Sequence, residues 1–328
     1  MNKEIRVAIN GFGRIGRAFF RLASEMDNIN VIAINDLGDL DNLRYLLEYD
    51  SVFGRFTNLE AFDKAEKLHE KDPTKLPWGK LDIDVVVEST GFFRKKEAAR
   101  AHIYAGAKRV VISAPSEDAN TVLMGVNLED LSVSRISSNA SCTTNALNPV
   151  VAVLDEALGI KKAVLNTVHS YTSTQRTVDS VSSKDFRRGR AAAVNIIPTS
   201  TGAAKATAKV HTNLEGKFDG LALRVPTPAG SIIDLTFVSD KKTSKEEVNK
   251  ILKDAAKSDR WKEILAVSDK PLVSSDIVGR KEASIVDLEM TRVIDGDLVK
   301  ILSWYDNETG YANMLLKHVI KASEMIKK

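Results

Sequence analysis

The 328-residue sequence contains one cysteine, Cys142, in the run Ser141-Cys142-Thr143-Thr144-Asn145. Ala146, Leu147, Val150, Val151 and Leu154 follow at helical core spacing. A thiol just before a helix faces free N–H groups and the positive end of the helix dipole, which favours the thiolate. A lone cysteine is more commonly a small buried hydrophobe, but the hydroxyls around Cys142 suit an active site better. A cysteine nucleophile needs a base. His169 is the candidate, placed after the apolar strand pattern of residues 164–168 and before Ser170-Tyr171-Thr172. Lone histidines at strand ends are more often structural, and spacing alone does not bring the two side chains together. His69, His102, His211 and His318 lie in charged, helical or loop contexts without cysteine or carboxylate spacing for a metal, so none is expected.

A second chemistry sits at the N-terminus. Gly11, Gly13 and Gly16 form G-x-G-x-x-G after a strand and at the start of a helix. The three glycines permit a tight turn, close approach of backbone to a pyrophosphate and close helix–strand packing, and the helix start supplies free N–H groups. The motif alone is weak. Asp36 ends the second strand about twenty residues on, where a carboxylate meets the ribose hydroxyls of a dinucleotide. It would also repel a 2′-phosphate, so NAD is expected over NADP. The plainer alternative for Asp36 is a capping or loop acid.

The elements around these residues change character along the chain. Strand patterns at 6–9, 31–34, 85–87 and 110–112 alternate with helical patterns at 14–26, 40–47 and 95–105, which implies a parallel sheet with right-handed crossovers. After about Asn145, a helix over 146–158 leads to alternating runs at 163–168, 221–225, 231–238, 284–291 and 298–304, with one covering helix at 245–257. That half reads as a mostly antiparallel sheet. The stretch 311–328 is helical, with Met314, Leu315, Val319, Ile320 and Met325 on one broad face. Residues 173–198 form a long, polar, Arg-rich loop, and loops of that length usually carry function or are disordered. The fold class expected is an α/β Rossmann-type NAD-binding domain with a parallel sheet, plus an α+β catalytic domain with a mostly antiparallel sheet.

Bulk properties bound the possibilities. The length suits two domains or one bilobed unit. The net charge of +3 gives no basic footprint for specific nucleic-acid binding. One cysteine rules out an internal disulfide and is compatible with a reducing compartment. The N-terminus lacks a signal-peptide pattern, and no run reaches the roughly 18 apolar residues of a membrane span. A cytoplasmic location without membrane partners is therefore expected.

Taken together, these residues resemble the glyceraldehyde-3-phosphate dehydrogenases across nearly the whole chain. The resemblance is carried by Asn10-Gly11-Phe12-Gly13-Arg14-Ile15-Gly16-Arg17, Tyr49-Asp50-Ser51 with Gly54-Arg55-Phe56, Glu88-Ser89-Thr90-Gly91 and Ser138 to Asn145. It continues through Pro198 to Lys205, Arg224-Val225-Pro226-Thr227-Pro228, Val273-Ser274-Ser275-Asp276 and Trp304-Tyr305-Asp306-Asn307-Glu308. The cysteine stretch is highly specific; the Gly-rich turn is shared by many dehydrogenases.

The resemblance implies NAD-linked, phosphorylating oxidation of D-glyceraldehyde 3-phosphate to 1,3-bisphosphoglycerate, as in glycolysis. Cys142 would form a hemithioacetal and then a thioester. His169 would take the hydroxyl proton, and the Cys142 N–H would help hold the oxyanion. Cofactor contacts are implied at Gly11, Phe12, Gly13, Arg14, Ile15, Asp36, Lys71, Thr90, Gly91, Ser113 and Asn307. Thr172 and Arg224 would hold the substrate's own phosphate, and Ser141, Thr143, Thr201 and Gly202 the attacking phosphate, although the hydroxyls could equally cap helices. Arg187, Arg188 and Arg190 stand open between a subunit-interface role and solvated charge. The resemblance further implies a homotetramer, and domains of 1–141 with helix 309–328 and of 142–308. Alternatives are an erythrose-4-phosphate dehydrogenase that hydrolyses the thioester, and a catalytically silent nucleotide- or RNA-binding relative. The chain departs from the family pattern in a shortened 55–78 region, where a hairpin is reduced to 57–65. It also has Lys71 where Arg is frequent, Phe53 where His is frequent, and Thr309 in place of an aromatic.

Overall fold

The computed structural model describes residues 4–183 and 185–326. Met1 to Lys3, Lys184 of the long loop and the last two residues of the expected C-terminal helix lie outside the described residues. The chain divides into two compact units, residues 1–141 with 312–328 and residues 142–311.

The first unit holds a parallel sheet in the order Glu66–Leu68, Ile29–Asn35, Ile5–Asn10, Val85–Glu88, Arg109–Ile112, Ile136–Ser138, Asn120–Thr121. Its central strands are apolar on both faces: Val85, Val86 and Val87 are fully buried, as are Val110, Val111 and Ile112. This is what helices on both sides of a sheet require. The strand order reverses at Ile5–Asn10, which opens a crevice at the carboxyl ends of the strands. The Gly-rich turn sits there. Gly11 has φ +95°, and a Cβ on it would lie 2.6 Å from the Thr90 nitrogen. A Cβ on Gly16 would lie 2.3 Å from the Gly11 carbonyl oxygen, so the helix can start this close to the strand only without one.

Three expectations for this unit are corrected. The first helix is Arg14–Ala23 and stops short of Met26, which is exposed. Residues 57–65 form no reduced hairpin but the short helix Leu59–Lys64, because Phe62 drops into the core against Phe12 and Phe20, with ring centroids 5.5 and 6.1 Å apart. The last helix is Thr309–Glu324; Met314, Leu315 and Val319 are buried, Ile320 only partly, and Met325 is exposed.

The second unit holds a mixed sheet in the order Ile197–Ser200, Phe218–Val225, Ile160–Ser170, Ser231–Ser239, Leu298–Tyr305, Ser284–Ile294, Leu265–Ser268. The pairs 160–170 with 218–225 and 265–268 with 284–294 are parallel, and the rest antiparallel. The expected two-sheet fold class therefore holds. Alternation is strict along the central strands: Leu165, Thr167 and His169 are buried, as are Ser231, Ile233, Leu235 and Phe237, and Val299, Ile301, Ser303 and Tyr305. Helices Cys142–Leu158, Ala203–Val210 and Lys245–Lys257 cover that face. The opposite face leaves Val164 and Leu221 half-exposed.

Replacing Gly16 with Ala should destabilise the protein by about 1–3 kcal/mol, the range for overpacking a close contact. The urea midpoint measures this, and an unchanged midpoint would show that helix and strand can move apart without cost.

Candidate active site

Cys142 is the first residue of the helix Cys142–Leu158, one turn earlier than the apolar spacing alone suggests. The helix is apolar on nearly every side and buried along most of its length, including Leu147, Val150, Val151 and Leu154. Packing therefore holds its N-terminus in place. The residue before Ser141, Ala140, has φ +54° and is fully buried. A left-handed alanine costs about 1–2 kcal/mol, strain of the kind stored where a chain must turn sharply into a functional residue.

His169 lies within the strand Ile160–Ser170, not after it. Parallel pairing sets His169 directly opposite Arg224, and antiparallel pairing sets Ser231 opposite Tyr305 two strands on. One end of the covered sheet face thus gathers Arg224, His169, Ser231 and Tyr305. Cys142 Sγ lies 3.3 Å from His169 Nε2, and Arg224 Nη1 lies 2.5 Å from His169 Nδ1. The same Nδ1 is 2.6 Å from the Ser170 carbonyl, to which Arg224 Nη1 also donates at 3.0 Å. The arrangement is a thiol and an imidazole in proton-transfer contact, with a guanidinium on the far side of the ring.

Tyr305 is a member of this site that sequence reasoning passed over. Its hydroxyl bridges Thr143 Oγ1 at 3.0 Å and Thr167 Oγ1 at 2.8 Å, and its ring meets His169 edge-on at 5.9 Å. It ties the helix start to the sheet and so fixes sulfur over imidazole. A buried tyrosine two residues before Asn307 was visible in the sequence, but its partners are remote in the chain.

Burial dominates the electrostatics of this centre. Part of Cys142 reaches solvent, yet the crowding of its sulfur pushes the thiol above its ordinary range. Arg224 and the helix-start N–H groups of Cys142 and Thr143 pull the other way without prevailing. Burial, reinforced by Arg224, lowers His169 from 6.5 to about 3. Burial likewise lowers Arg224 and raises Tyr305. Burial thus weighs against the charged form of both groups, and a proton can pass between them across the 3.3 Å contact.

Other candidates fall around this centre. Thr172 presents its N–H and hydroxyl to Gln175 Oε1 at 2.8 and 3.1 Å. Arg188, half-buried on the long loop, donates to Thr199 at 2.8 Å and presses electrostatically on Arg224. Arg187 is exposed, and Arg190 pairs with Asp179 at the surface. Thr201 caps the helix Ala203–Val210 by accepting from the Ala203 N–H at 3.2 Å, and Gly202 is its N-cap residue. Ser231 accepts from the Ser170 N–H and donates to Asn307 Oδ1 at 2.9 Å, so the amide of Asn307 is oriented from the histidine strand. Ser141 precedes the helix and is partly exposed.

In the first unit, a cleft of about 460 Å³ opens at the switch point. Gly11, Gly13, Asp36, Lys71 and Thr90 line it. A Cβ on Gly13 would meet nothing within 4 Å, leaving room for a close ligand. Asp36 Oδ2 accepts from the Phe12 N–H at 2.6 Å, and Oδ1 from the Gly38 N–H at 2.7 Å, so the carboxylate braces the turn as well as facing the cleft. The Phe12 ring itself lies in the core and is kept from any ligand. Arg14 pairs with Asp50 and lies over the Phe53 ring at 5.1 Å, which gives that unusual residue a role. Ile15 is partly buried beside Arg14, Gly91 has φ +77°, and the Ser113 N–H extends the sheet ladder to the Glu88 carbonyl. Beneath the cleft, the buried Glu88 accepts from Asn10, from the N–H and hydroxyl of Thr90, and from His102. The Trp78 indole N–H, at 3.0 Å, fixes the His102 tautomer. Space, glycines, helix start and acid fit a dinucleotide.

A concavity of about 1230 Å³, a lysine-rimmed groove between the sheet and the helix Ala203–Val210, contains none of the chemistry-bearing residues. Among the described residues no cluster of metal-ligating side chains occurs, and no helix is long and apolar enough to cross a membrane.

Comparison with known proteins places these features in context. A family model described as glyceraldehyde 3-phosphate dehydrogenase, NAD binding domain, matches residues 5–96, and one described as its C-terminal domain matches residues 141–307. Glyceraldehyde-3-phosphate dehydrogenases of Priestia megaterium and Geobacillus stearothermophilus are each 49% identical over 324 residues, covering 95% of this chain and 96% of the relative. Glyceraldehyde-3-phosphate dehydrogenase 1 of Bacillus subtilis is similar to the same extent.

Two tests address this geometry. Tyr305→Phe leaves two buried threonine hydroxyls without their partner and should cost about 1–3 kcal/mol, read as a lowered urea midpoint; no change would mean the bridge contributes nothing. His169 and His318 are each held neutral, with pKa about 3 against 6.5 unfolded. The unfolded chain therefore takes up protons first. Stability should be constant above about pH 6.5 and fall toward pH 3. His318→Gln should flatten that fall, and a urea midpoint independent of pH in this window would contradict the burial argument.

Proposed function

The chain belongs to the glyceraldehyde-3-phosphate dehydrogenase family, and from that premise we propose how its residues divide the work of an NAD-dependent, phosphorylating oxidation of D-glyceraldehyde 3-phosphate to 1,3-bisphosphoglycerate. The observation that carries the assignment is the Cys142–His169 contact at 3.3 Å with Arg224 against the other ring nitrogen.

His169 takes the Cys142 proton, the sulfur attacks the aldehyde carbon, and His169 returns the proton to the carbonyl oxygen to give a hemithioacetal. The Cys142 N–H, at the helix start, helps hold the developing oxyanion. Bound NAD supplies the hydride acceptor. His169 removes the hydroxyl proton as the carbon is oxidised, leaving a thioester on Cys142. Inorganic phosphate attacks the thioester carbonyl, the Cys142 thiolate leaves, and the acyl phosphate departs. Arg224 and Thr172 hold the substrate's phosphate; Ser141, Thr143, Thr201 and Gly202 receive the attacking one, the threonines using lone pairs and protons beyond their present bonds. Gly11, Gly13, Arg14, Ile15, Asp36, Lys71, Thr90, Gly91, Ser113 and the Phe12 backbone hold the cofactor, and Asn307 orients its carboxamide. On this reading the first unit is the cofactor domain and the second the catalytic domain.

The working form we propose is a homotetramer in the cytoplasm. The half-exposed Val164 and Leu221 on the open sheet face favour burial against another copy. A catalytic thiol must stay reduced, which suits that compartment.

NADH formation from glyceraldehyde 3-phosphate tests the whole reading. Turnover should require inorganic phosphate; without it, NADH should stop at about one equivalent per Cys142. Cys142→Ala should show no turnover, and NADP should substitute poorly. Unabated NADH production without phosphate would point to hydrolysis of the thioester instead.

A further inference from the structure

Where the helix Cys142–Leu158 packs on the helix Ala203–Val210, the contact holds a fully buried amide, Asn148. Its Nδ2 donates to the Thr144 carbonyl at 2.8 Å and to Thr207 Oγ1 at 2.9 Å. Its Oδ1 lies 3.1 Å from Nε2 of His211, the residue that ends the second helix. A carbonyl only accepts, so the amide nitrogen must face Thr144, and the His211 ring donates to the oxygen. Both N–H groups and the oxygen are thus engaged, as a buried amide requires. An apolar side chain of the same shape would cost less to bury. What the amide adds is direction.

The two helices are unequally held. The first has 17 residues, is buried along most of its length, and is tied to the sheet by Tyr305. The second has 8 residues, and those it buries are Ala203, Ala204, Thr207 and Ala208. Three alanines offer no ridge deep enough to lock into the grooves of a neighbouring helix. Lys205 and Lys209 are exposed. The placement of the short helix is therefore set by Thr207 and His211. They lie one helical turn apart on the same face, and both are bonded to the same amide.

We propose that Asn148 is a positioning residue for the second half of the reaction: it fixes the short helix against the thiol helix, so that inorganic phosphate is presented to the thioester on Cys142. This role rests on the reading of Thr143 at the start of one helix, and of Thr201 with Gly202 at the start of the other, as holders of the attacking phosphate. The amide nitrogen joins Thr144, which follows Thr143, to Thr207, one turn beyond Ala203. Misplacing a reacting group by about 1 Å costs on the order of 10²-fold in rate, so a bond that sets helix against helix bears on phosphate attack. Thioester formation uses Cys142, His169 and Arg224, which sit on the long helix and the sheet rather than on the short helix.

The experiment is the NADH time course of the full-length protein with NAD and glyceraldehyde 3-phosphate, first without phosphate and then across a phosphate series. Thr207→Val keeps the side-chain shape and removes the hydroxyl; Thr207→Ser keeps the hydroxyl. In Thr207→Val and Asn148→Ala the phosphate-free burst should keep its rate and its amplitude of about one equivalent per Cys142, while kcat/KM for phosphate falls about tenfold. Thr207→Ser should match the parent, and a loss there equal to that of Thr207→Val overturns the role of the hydroxyl. An unchanged kcat/KM for phosphate in Thr207→Val and Asn148→Ala overturns the positioning role even where the urea midpoint falls, because the amide then serves stability alone. A burst that slows in the same proportion also overturns it, since the thiol helix itself has then moved. Turnover of the parent without phosphate overturns the reading of the phosphate site and the role of Asn148 with it. If Asn148→Ala fails to fold, the two Thr207 variants decide the matter.

Discussion

The approach of Cys142 Sγ to His169 Nε2 is the constraint that the rest of the structure serves. Burial raises the thiol and lowers the imidazole. Desolvation penalises both charged forms, so the chemistry depends on the short gap across which a proton can pass. That gap is kept by a helix that is buried along most of its length, a sheet whose register is set by alternation, and Tyr305, which ties one to the other. A shift of one residue in the pairing of 160–170 with 218–225 would turn side chains to the opposite face and separate Arg224 from His169.

The same economy of burial recurs at the dinucleotide cleft. Asp36 braces the Gly-rich turn through two backbone N–H groups and still faces the cleft. Glu88 lies buried below it as an acceptor for Asn10, Thr90 and His102. These two acids are tolerated there because each has its partners, of which Asn10 and Thr90 line the cleft. Arg224 Nε is one of several buried polar atoms without a hydrogen-bond partner, and here an anionic substrate would make up what the protein leaves open.

Much of the fold was legible because it follows from periodicity. Continuous apolar runs at 85–87 and 110–112 imply strands covered on both faces, and alternation in 231–238 and 298–304 implies a half-covered sheet. Short elements escaped this reading: Glu66–Leu68 and Leu265–Ser268 are too brief to show a period, and Leu59–Lys64 becomes a helix because Phe62 finds a place in the core. The burial of His102 and His318 also escaped it, since both occur in charged helical sequence while their partners Glu88, Trp78, Ser137 and Asn139 lie far away along the chain.

By itself, the sequence determined the kinds of chemistry available: a thiol at a helix start, a histidine at the end of a strand, a glycine turn with an acid about twenty residues on, and the family those residues share. Those are local matters of residue type and spacing. Only the tertiary structure decided which groups meet. It put Arg224 and Tyr305 around His169 through strand register, and it set burial against the charged forms of Cys142 and His169. Desolvation and hydrogen-bond geometry depend on everything packed around an atom, and neighbours brought together by folding leave no mark in the spacing of residues along the chain.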